Sequence, residues 1–166
     1  TFLGNLILAY IRQHQRFAIA TAMTGISAIL LTLGTTSHKR FRFPIPCIEC
    51  STSNLTFDSK QAKIIKEAEV IIIDEVSCMT RWLLECLDNF LRELMGNDEI
   101  MGGKRVVVMG DFRQALPVVK HGSRAKIVYD SVKSSRLWQF VKTLRLRRNM
   151  RVEKLIRPDS SPKRKR

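Results

Sequence analysis

Residues 69–75 read EVIIIDE, a run of four β-branched apolar residues that ends in two adjacent acids. The run is hydrophobic throughout rather than alternating, which indicates a strand covered on both faces, as in a parallel sheet. Residues 104–109, KRVVVM, form a second run of this kind and lead into Gly110 and Asp111. Both runs are therefore predicted to be buried parallel strands, and the polar residues after them should lie at one edge of the sheet.

Helical patterns surround these two strands. Between them, residues 81–94 place apolar side chains at a period of 3.6, which predicts a strong amphipathic helix. Strands that alternate with helices indicate an α/β fold. The remaining predictions are helices over 2–14, 24–31, 59–67 and 131–140, an apolar run over 17–22, an irregular connection over 34–57, a turn at 102–103 and a last strand over 141–146.

The composition fits one globular domain with a basic surface. The chain has 166 residues and a formal net charge of +14, and its low Gly and Pro content excludes collagen-like and disordered classes. No apolar stretch approaches the ~20 residues that span a bilayer, so we expect no membrane span. No basic region precedes the apolar residues 1–11, so we expect no signal peptide. A nucleic-acid partner and a merely solvated basic surface both explain the charge.

Four cysteines lie at positions 47, 50, 78 and 86. Cys47 and Cys50 have the spacing of zinc ligands, but no second pair completes a tetrahedral site. We therefore favour reduced structural thiols over zinc, with Cys78 and Cys86 as small buried hydrophobes. Such thiols fit a reducing compartment, the cytosol or the nucleus.

The two strand ends carry the residue types that phosphoryl chemistry requires. In a Walker B element, Asp74 would hold Mg²⁺ and Glu75 would activate the water that attacks a γ-phosphate. The alternative is a strand that ends in a solvated acidic turn. Gln114, after the second strand, could sense the γ-phosphate or position the water, and its alternative is an ordinary strand-to-loop turn.

A phosphate cradle of the form Gly-x-x-x-x-Gly-Lys-Ser/Thr does not occur among the 166 residues. Gly103-Lys104 is followed by Arg105 and leads into a strand rather than a helix, so it is not such a cradle. The first residue is Thr1 rather than Met, and we expect that the sequence was trimmed or is a piece of a longer chain.

Several segments, in this order and spacing, resemble the Pif1-like DNA helicases. This group of superfamily 1 helicases includes the helicase domains of Helitron transposons. The matching segments are AMTGISA at 22–28, GTTSH at 34–38, FPIP at 43–46, IIDEVSCM at 72–79, GGK at 102–104, GDFRQALPVV at 110–119 and LRRNMR at 146–151. The resemblance covers residues 1 to about 152. It departs from the family pattern at residues 146–148, where Leu-Arg-Arg replaces Leu-Thr-x, and in the tail.

The resemblance implies a RecA-like P-loop NTPase sheet sandwiched by helices, with the first strand and the P-loop missing from this sequence. We then expect marginal stability, because a lost strand exposes a sheet edge or a central gap. The implied domains are a partial RecA-like helicase domain 1A over 1–152 and a basic, disordered tail over 153–166. The tail is interpreted as a nuclear-import signal, a nonspecific DNA-binding arm or a remnant with no role.

The resemblance also implies which residues bind ATP and Mg²⁺. Thr1 falls at the Ser/Thr of the P-loop and, with Asp74, would be a ligand of Mg²⁺. Glu75, Gln114 and Arg151 would be catalytic, with Arg151 reaching the γ-phosphate across the cleft to a second RecA-like domain, which is absent from this chain. Asp111 is counted with Thr1 and Asp74 as nucleotide-binding.

Single-stranded DNA is the implied partner of a second group of residues: Thr24, Gly25, Thr35, Thr36 and His38. Hydroxyls and backbone N–H groups suit this role because they grip phosphates without reading bases. Without the resemblance, His38 would be interpreted as a capping or core-edge histidine. Trp82 and Trp138 are predicted to be core anchors rather than base-stacking platforms.

The predicted function is that of an ATP-dependent 5′-to-3′ DNA helicase. Telomere maintenance, DNA recombination and DNA repair follow by resemblance only, as does a location in the nucleus, with the mitochondrion as the alternative. For the chain as given we expect little or no ATP turnover, because phosphoryl transfer depends on the positioning groups that are missing. The alternative function is a non-catalytic nucleic-acid-binding remnant.

Overall fold

The central strand of the sheet is β3 (Val70–Asp74), which is buried along its whole length. The computed structural model describes residues 1–114, 116–119 and 122–148. Within them, β3 pairs in parallel with β1 (Ala18–Ala22) on one side and with β4 (Arg105–Val108) on the other. A two-residue strand, β2 (Thr35–Thr36), extends the sheet beyond β1 and gives the order β2-β1-β3-β4. The predicted α/β fold with a parallel sheet is confirmed.

The described residues form six α-helices around this sheet. They are α1 (Phe2–Gln13), α2 (Gly25–Leu30), α3 (Ser37–Phe41), α4 (Lys60–Glu67), α5 (Arg81–Met95) and α6 (Arg124–Asp130). Short 3₁₀ turns occupy Val76–Cys78, Ile100–Gly103, Val132–Ser134 and Arg136–Phe140. In the part of the chain that the structure describes, no helix is long and apolar enough to cross a membrane.

Alternation along β3 divides the core into two clusters. Ile71 and Ile73 pack with α4 and α5 on one face. Val70 and Ile72 pack on the other face with α1 and α2, where β1 contributes only alanines. Because side chains of a strand point alternately to opposite faces, one fully apolar strand supplies both cores.

The helices begin where the sequence offers hydroxyl side chains. Thr24, Thr36, Ser59, Thr80 and Ser123 each stand before a helix and accept a hydrogen bond from the backbone N–H three residues on. Such N-caps satisfy donors that the helix itself cannot pair. Ser59 and Thr80 thus mark the starts of α4 and α5. These two helices and α1 agree with the predicted helices to within one or two residues.

Four predictions about the elements of the fold are wrong. Residues 131–140 are not one helix, because they form two separate 3₁₀ turns, Val132–Ser134 and Arg136–Phe140. Residues 34–57 are not wholly irregular, because β2 and α3 lie within them. The strand β4 is half-buried rather than buried, because in the described residues it pairs only with β3. Residues 141–146 form no strand, and Leu144 and Leu146 are exposed, since no described strand lies beside them.

A buried carboxylate joins α5 to the turn that precedes β4. The Asp88 side chain is fully buried and accepts hydrogen bonds from the Met101 backbone N–H at 2.6 Å and from Arg92 Nε at 2.9 Å. At Gly102, φ is +60°, and an added Cβ would lie 2.4 Å from the Leu91 carbonyl oxygen. The turn therefore packs directly on the helix, and this contact sets where β4 begins.

Replacing Asp88 with Ala should lower the free energy of unfolding by about 3 kcal/mol, because it leaves the buried Met101 N–H without an acceptor. Urea unfolding followed by circular dichroism measures the change. Glu93→Ala, at an exposed position on the same helix, is the matched control and should change stability by no more than about 0.5 kcal/mol. Equal effects of the two substitutions would contradict the role assigned to Asp88.

Candidate functional site

The polar residues that follow β1 and β3 meet at the carboxyl edge of the sheet. The Met23 N–H donates to the Asp74 carbonyl at 3.0 Å, which extends the β1–β3 pairing past the strand end. On the other side, the Val76 N–H donates to the Met109 carbonyl at 2.8 Å. Backbone hydrogen bonds thus hold the segment after β3 between its two neighbours.

Asp74 and Thr1 are two predicted site residues, far apart in sequence, whose side chains are in direct contact. Asp74 is the last residue of β3 and is only 5% exposed. The Thr1 hydroxyl donates to Asp74 Oδ2 at 3.1 Å, and the Glu75 N–H donates to Asp74 Oδ1 at 2.9 Å. Thr1 is the N-cap residue of α1, but its hydroxyl does not cap the helix, because it is directed to Asp74. The structure therefore brings two hard oxygen donors together at the start of α1.

Glu75 adopts a backbone conformation that is unusual for its residue type. Its φ is +57° and ψ is +40°, in the left-handed region, which costs a non-glycine residue about 1 kcal/mol. This conformation turns the chain sharply out of β3 and begins the 3₁₀ turn Val76–Cys78. The Glu75 side chain is half-buried and forms no hydrogen bond or ion pair with the described residues. Its carboxylate is available to a bound molecule.

Asp111 and Gln114 share a tight turn after β4. The Asp111 carboxylate accepts from the Arg113 N–H at 2.9 Å and from Gln114 Nε2 at 3.4 Å. The Gln114 N–H donates to the Asp111 carbonyl at 3.1 Å. Both side chains are exposed. Asp111 therefore organises the loop that carries Gln114, and its hydrogen bonds go to that loop rather than to Asp74 or Thr1.

Phe112 anchors this loop to the body of the domain. Its ring packs edge-on against Trp138, with centroids 5.7 Å apart, and Lys133 Nζ lies 3.9 Å from the ring centroid. Trp82 is likewise a packing residue, since its indole N–H donates to Asp130 Oδ1 at 3.1 Å. Both tryptophans therefore serve as structural anchors, as the sequence predicts, and Trp138 in particular restrains the Gln114 loop.

Thr24 and Gly25 lie just past the end of β1, beside Asp74. The Thr24 hydroxyl accepts from the Ser27 N–H at 3.2 Å and donates to Ser27 Oγ at 2.9 Å. Gly25 is exposed, and a Cβ added there would meet no atom within 4 Å. The two residues leave open space above this strand end.

Thr35, Thr36 and His38 lie beside them at the next strand. In the β1–β2 register, Thr36 stands opposite Ala22, and Ser37 Oγ donates to the Ala22 carbonyl at 3.3 Å. The His38 ring is half-buried and packs edge-on against Phe43 at 5.8 Å. Burial lowers the pKa of His38 below its ordinary value. The five predicted DNA contacts thus line the ends of β1 and β2, next to the Asp74 end of β3.

Gly103-Lys104 has a structural role. Lys104 Nζ donates to the carbonyls of Lys66 and Ala68 at 2.9 and 2.7 Å, and so caps the end of α4. Lys104 also precedes β4, so it lies at the amino edge of the sheet, opposite Asp74. The sequence-based conclusion that this pair is not a phosphate cradle is confirmed.

The cysteines form no disulfide, and Cys86 is buried as predicted, whereas Cys78 is half-buried. The Cys86 thiol donates a hydrogen bond that lowers the pKa of Cys47, while the pKa of Cys86 itself is raised. Among the described residues, no three His, Cys, Asp or Glu side chains group as metal ligands.

The predicted catalytic Arg151 and the predicted tail 153–166 lie outside the described residues. One further residue at the site escaped the sequence analysis. Ser77 is fully buried, and its Oγ has no hydrogen-bond partner among the described residues. It packs under the second strand end, where a Cβ on Gly110 would lie 3.0 Å from the Ser77 nitrogen. The segment DEVS at 74–77 does not indicate which of its side chains are buried, so the burial of Ser77 could not be predicted from the sequence.

Comparisons with known proteins identify relatives of this chain. The model of a family described as PIF1-like helicase matches residues 1–165. An uncharacterized protein of Invertebrate iridescent virus 6 is 37% identical over 128 residues, which are 74% of this chain and 24% of the viral protein. An ATP-dependent DNA helicase Pif1 of Psychrobacter is 32% identical over 124 residues, 74% of this chain and 19% of that helicase.

The fold has solved counterparts of the same kind. A crystal structure of the Pif1 helicase from Bacteroides in complex with ADP-AlF3 and single-stranded DNA aligns with a TM-score of 0.64 and 28% identity. The alignment covers 74% of this chain and 29% of the Bacteroides chain. The sheet described above is therefore that of a RecA-like helicase domain. The aligned part of the chain spans 24% and 19% of the two relatives in sequence and 29% of the Bacteroides chain.

Replacing Asp111 with Ala should release the turn that carries Gln114. The Arg113 amide loses its acceptor, a hydrogen bond worth about 1 kcal/mol, so its hydrogen exchange should accelerate roughly fivefold. Exchange measured by NMR tests this, with the Val76 amide as an internal control because it donates to Met109 instead. Unchanged exchange at Arg113 would contradict the assigned role of Asp111.

Acid should destabilise the domain through His38. Because burial lowers the pKa of His38 in the folded state, the unfolded chain binds more protons below the ordinary value of about 6.5, and stability falls as pH decreases. Between about pH 7.5 and pH 5, the free energy of unfolding should decrease less in His38→Gln than in wild type. Denaturation at each pH measures it, with His14→Gln at an exposed position as the control; equal pH dependence of wild type and His38→Gln would refute the prediction.

Proposed function

The chain belongs to the PIF1-like helicase family, and from this premise we propose that it supplies the nucleotide-binding and DNA-binding edge of an ATP-dependent DNA helicase. One observation carries the proposal. The Thr1–Asp74 pair and Glu75 lie at the same edge of one sheet as Thr24, Thr36 and His38. A single rigid element thus presents an acidic site and a row of hydroxyl groups side by side.

The donor set at the acidic site fits Mg²⁺. The Thr1 hydroxyl and the Asp74 carboxylate are the hard oxygen ligands that this ion prefers, and they lie 3.1 Å apart. These two residues would hold the ion, which would neutralise charge on the phosphates of bound ATP. The Asp74 carboxylate is buried and already oriented by the Glu75 N–H, so little reorganisation is needed to use it.

Glu75 and Gln114 are the proposed catalytic residues. Glu75 accepts the proton of the attacking water, a role that its free carboxylate and outward-turned backbone support. Gln114, held by Asp111, orients that water or contacts the γ-phosphate. Arg151 is proposed to contribute charge to the γ-phosphate from its place in the Asn-Met-Arg segment.

The DNA partner is proposed to be single-stranded, and the helicase is proposed to move along it in the 5′-to-3′ direction. The crystal structure of the similar Bacteroides Pif1 helicase contains single-stranded DNA. Thr24, Gly25, Thr35, Thr36 and His38 would contact its phosphates and sugars. The Met23–Asp74 backbone hydrogen bond connects the two parts of this surface. Telomere maintenance, recombination, repair and a nuclear location are part of the proposal by family alone.

A second candidate, nucleic-acid binding without catalysis, is favoured by one feature of the chain as given. Its 166 residues carry a net charge of +14 but hold no Gly-x-x-x-x-Gly-Lys-Ser/Thr segment. Since phosphoryl transfer depends on such positioning groups, the isolated chain should bind DNA and turn over little or no ATP.

The catalytic proposal is tested in a chimera. Residues 1–148 replace the aligned segment of the Psychrobacter helicase, which supplies the rest of the protein. DNA-stimulated ATP hydrolysis should be retained, and Glu75→Gln should reduce the turnover rate by about 10³-fold, because the general base is lost. Steady-state hydrolysis and unwinding of a forked substrate are measured.

Glu93→Gln in the same chimera is the matched control, since Glu93 is an exposed acid on α5, and it should leave the rate unchanged. A folded chimera whose turnover survives Glu75→Gln would refute the assigned role of Glu75. A folded chimera without turnover would favour the second candidate.

A further inference from the structure

A cationic groove lies at the edge of the sheet beside β2, on the side opposite to β4. It has a volume of about 780 Å³ and is open to solvent on one side. Its cationic walls are Lys39, Arg40 and Arg42, from α3 and the residue after it, and Lys60, the first residue of α4. Leu33 and Ile64 supply apolar surface at its margins.

The four cations of the groove form no ion pair with any acid in the part of the chain that the structure describes. No acid is among the lining residues. Arg40 Nε is buried and has no hydrogen-bond partner among the described residues. Burial also lowers the pKa of Arg40. Unpaired, partly desolvated cations on concave walls concentrate positive potential in the groove.

The groove is held in shape by a contact between its two walls. Gln61 Nε2 donates to the carbonyls of Lys39, at 3.0 Å, and of Arg40. These bonds fasten the start of α4 to the end of α3. The chain then leaves α3 through Arg42, whose φ is +49°. The spacing of the cations is therefore set by packed backbone rather than by surface side chains alone.

The groove is separated from the predicted DNA contacts by the length of one short helix. Thr36 stands at the N-terminal end of α3, and Arg42 follows its C-terminal end. Five residues of helix span roughly 7.5 Å, at about 1.5 Å per residue. Thr35 belongs to both places, since it is paired in β2 and also lines the groove. One bound strand can thus contact both places.

We propose that this groove binds the phosphodiester backbone of single-stranded nucleic acid, as a second contact that follows the strand-end surface of Thr24, Thr36 and His38. The inference rests on the proposed DNA binding of that surface and extends it around the edge of the sheet. The cations contact successive phosphates, and the exposed parts of Leu33 and Ile64 contact sugars or bases. A combination of cations and apolar surface is suited to single strands, whose bases are accessible.

The test is fluorescence anisotropy of labelled oligonucleotides with the 166-residue chain. Two single strands are compared, of roughly 5 and roughly 16 nucleotides, within the range of site sizes for single-strand binding domains. Wild type should bind the longer strand more tightly. The groove variant carries three substitutions, Lys39→Glu/Arg42→Glu/Lys60→Glu. Its affinity should fall roughly tenfold for the longer strand and little for the shorter one. For the longer strand, the slope of log affinity against log salt concentration should become less steep by about 2, since each lost phosphate contact contributes roughly 0.7.

A control variant separates this site from general charge. Arg124→Glu/Arg136→Glu/Lys142→Glu makes the same change in net charge at exposed positions away from the groove, and should retain the gain with length. Equal loss in both variants would overturn the proposal, as would a groove variant that keeps the full gain. Absence of binding by wild type to either strand would overturn the DNA function itself.

A competition measurement tests whether the groove binds a nucleic-acid strand or only a small polyphosphate. Sodium tripolyphosphate should compete with the longer oligonucleotide only weakly, because it spans few of the four cations. Two results together would show that the groove is a small-anion site and that the proposal is wrong. Tripolyphosphate would displace the strand from wild type at a concentration that does not affect the groove variant, and wild type would bind the longer strand no more tightly than the shorter one. The urea midpoints of all variants should match that of wild type.

Discussion

The rest of the structure depends on the pairing of β3 with a neighbour on each side. Because β3 (Val70–Asp74) is buried on both faces and bonded along both edges, its direction and register fix the sheet. Backbone hydrogen bonds continue just past the strand ends, from Met23 to Asp74 and from Val76 to Met109. The residues at the strand ends are therefore held by the most buried part of the protein, although they are themselves polar.

This arrangement explains why the acids can be positioned without a large polar network. Asp74 accepts hydrogen bonds from the Thr1 hydroxyl and the Glu75 N–H, and the Thr1 ammonium lies 3.5 Å from Asp74 Oδ2. Glu75 pays a conformational cost for its left-handed backbone, and the packed turn after it sustains that cost. The backbone strain at Glu75 lowers local stability but places its carboxylate at the strand end.

The sequence predicted what continuous hydrophobicity and helical periodicity can encode: β3, α1, α4, α5 and the parallel arrangement of β3 and β4. It did not predict β2, because two residues carry no alternation and Thr35–Thr36 is a strand only through its register with β1. Burial of Ser77 and the unpaired cations of the groove depend on distant packing. Residues 141–146 contain Val141, Leu144 and Leu146 and were predicted to be a strand, yet no described neighbour pairs with them. Pairing partners, unlike periodicity, are not local information.

The central claim is that Thr1 and Asp74 form a cation site at the carboxyl edge of the sheet. Mn²⁺ substitutes for Mg²⁺ at oxygen ligands and broadens the NMR signals of nearby nuclei. Titration of the ¹⁵N-labelled chain with Mn²⁺ should broaden the amides of residues 2–3 and 74–76 first, and Asp74→Asn should abolish this effect. Broadening that begins elsewhere, for example at Asp98 and Glu99, or that persists in Asp74→Asn, would contradict the account.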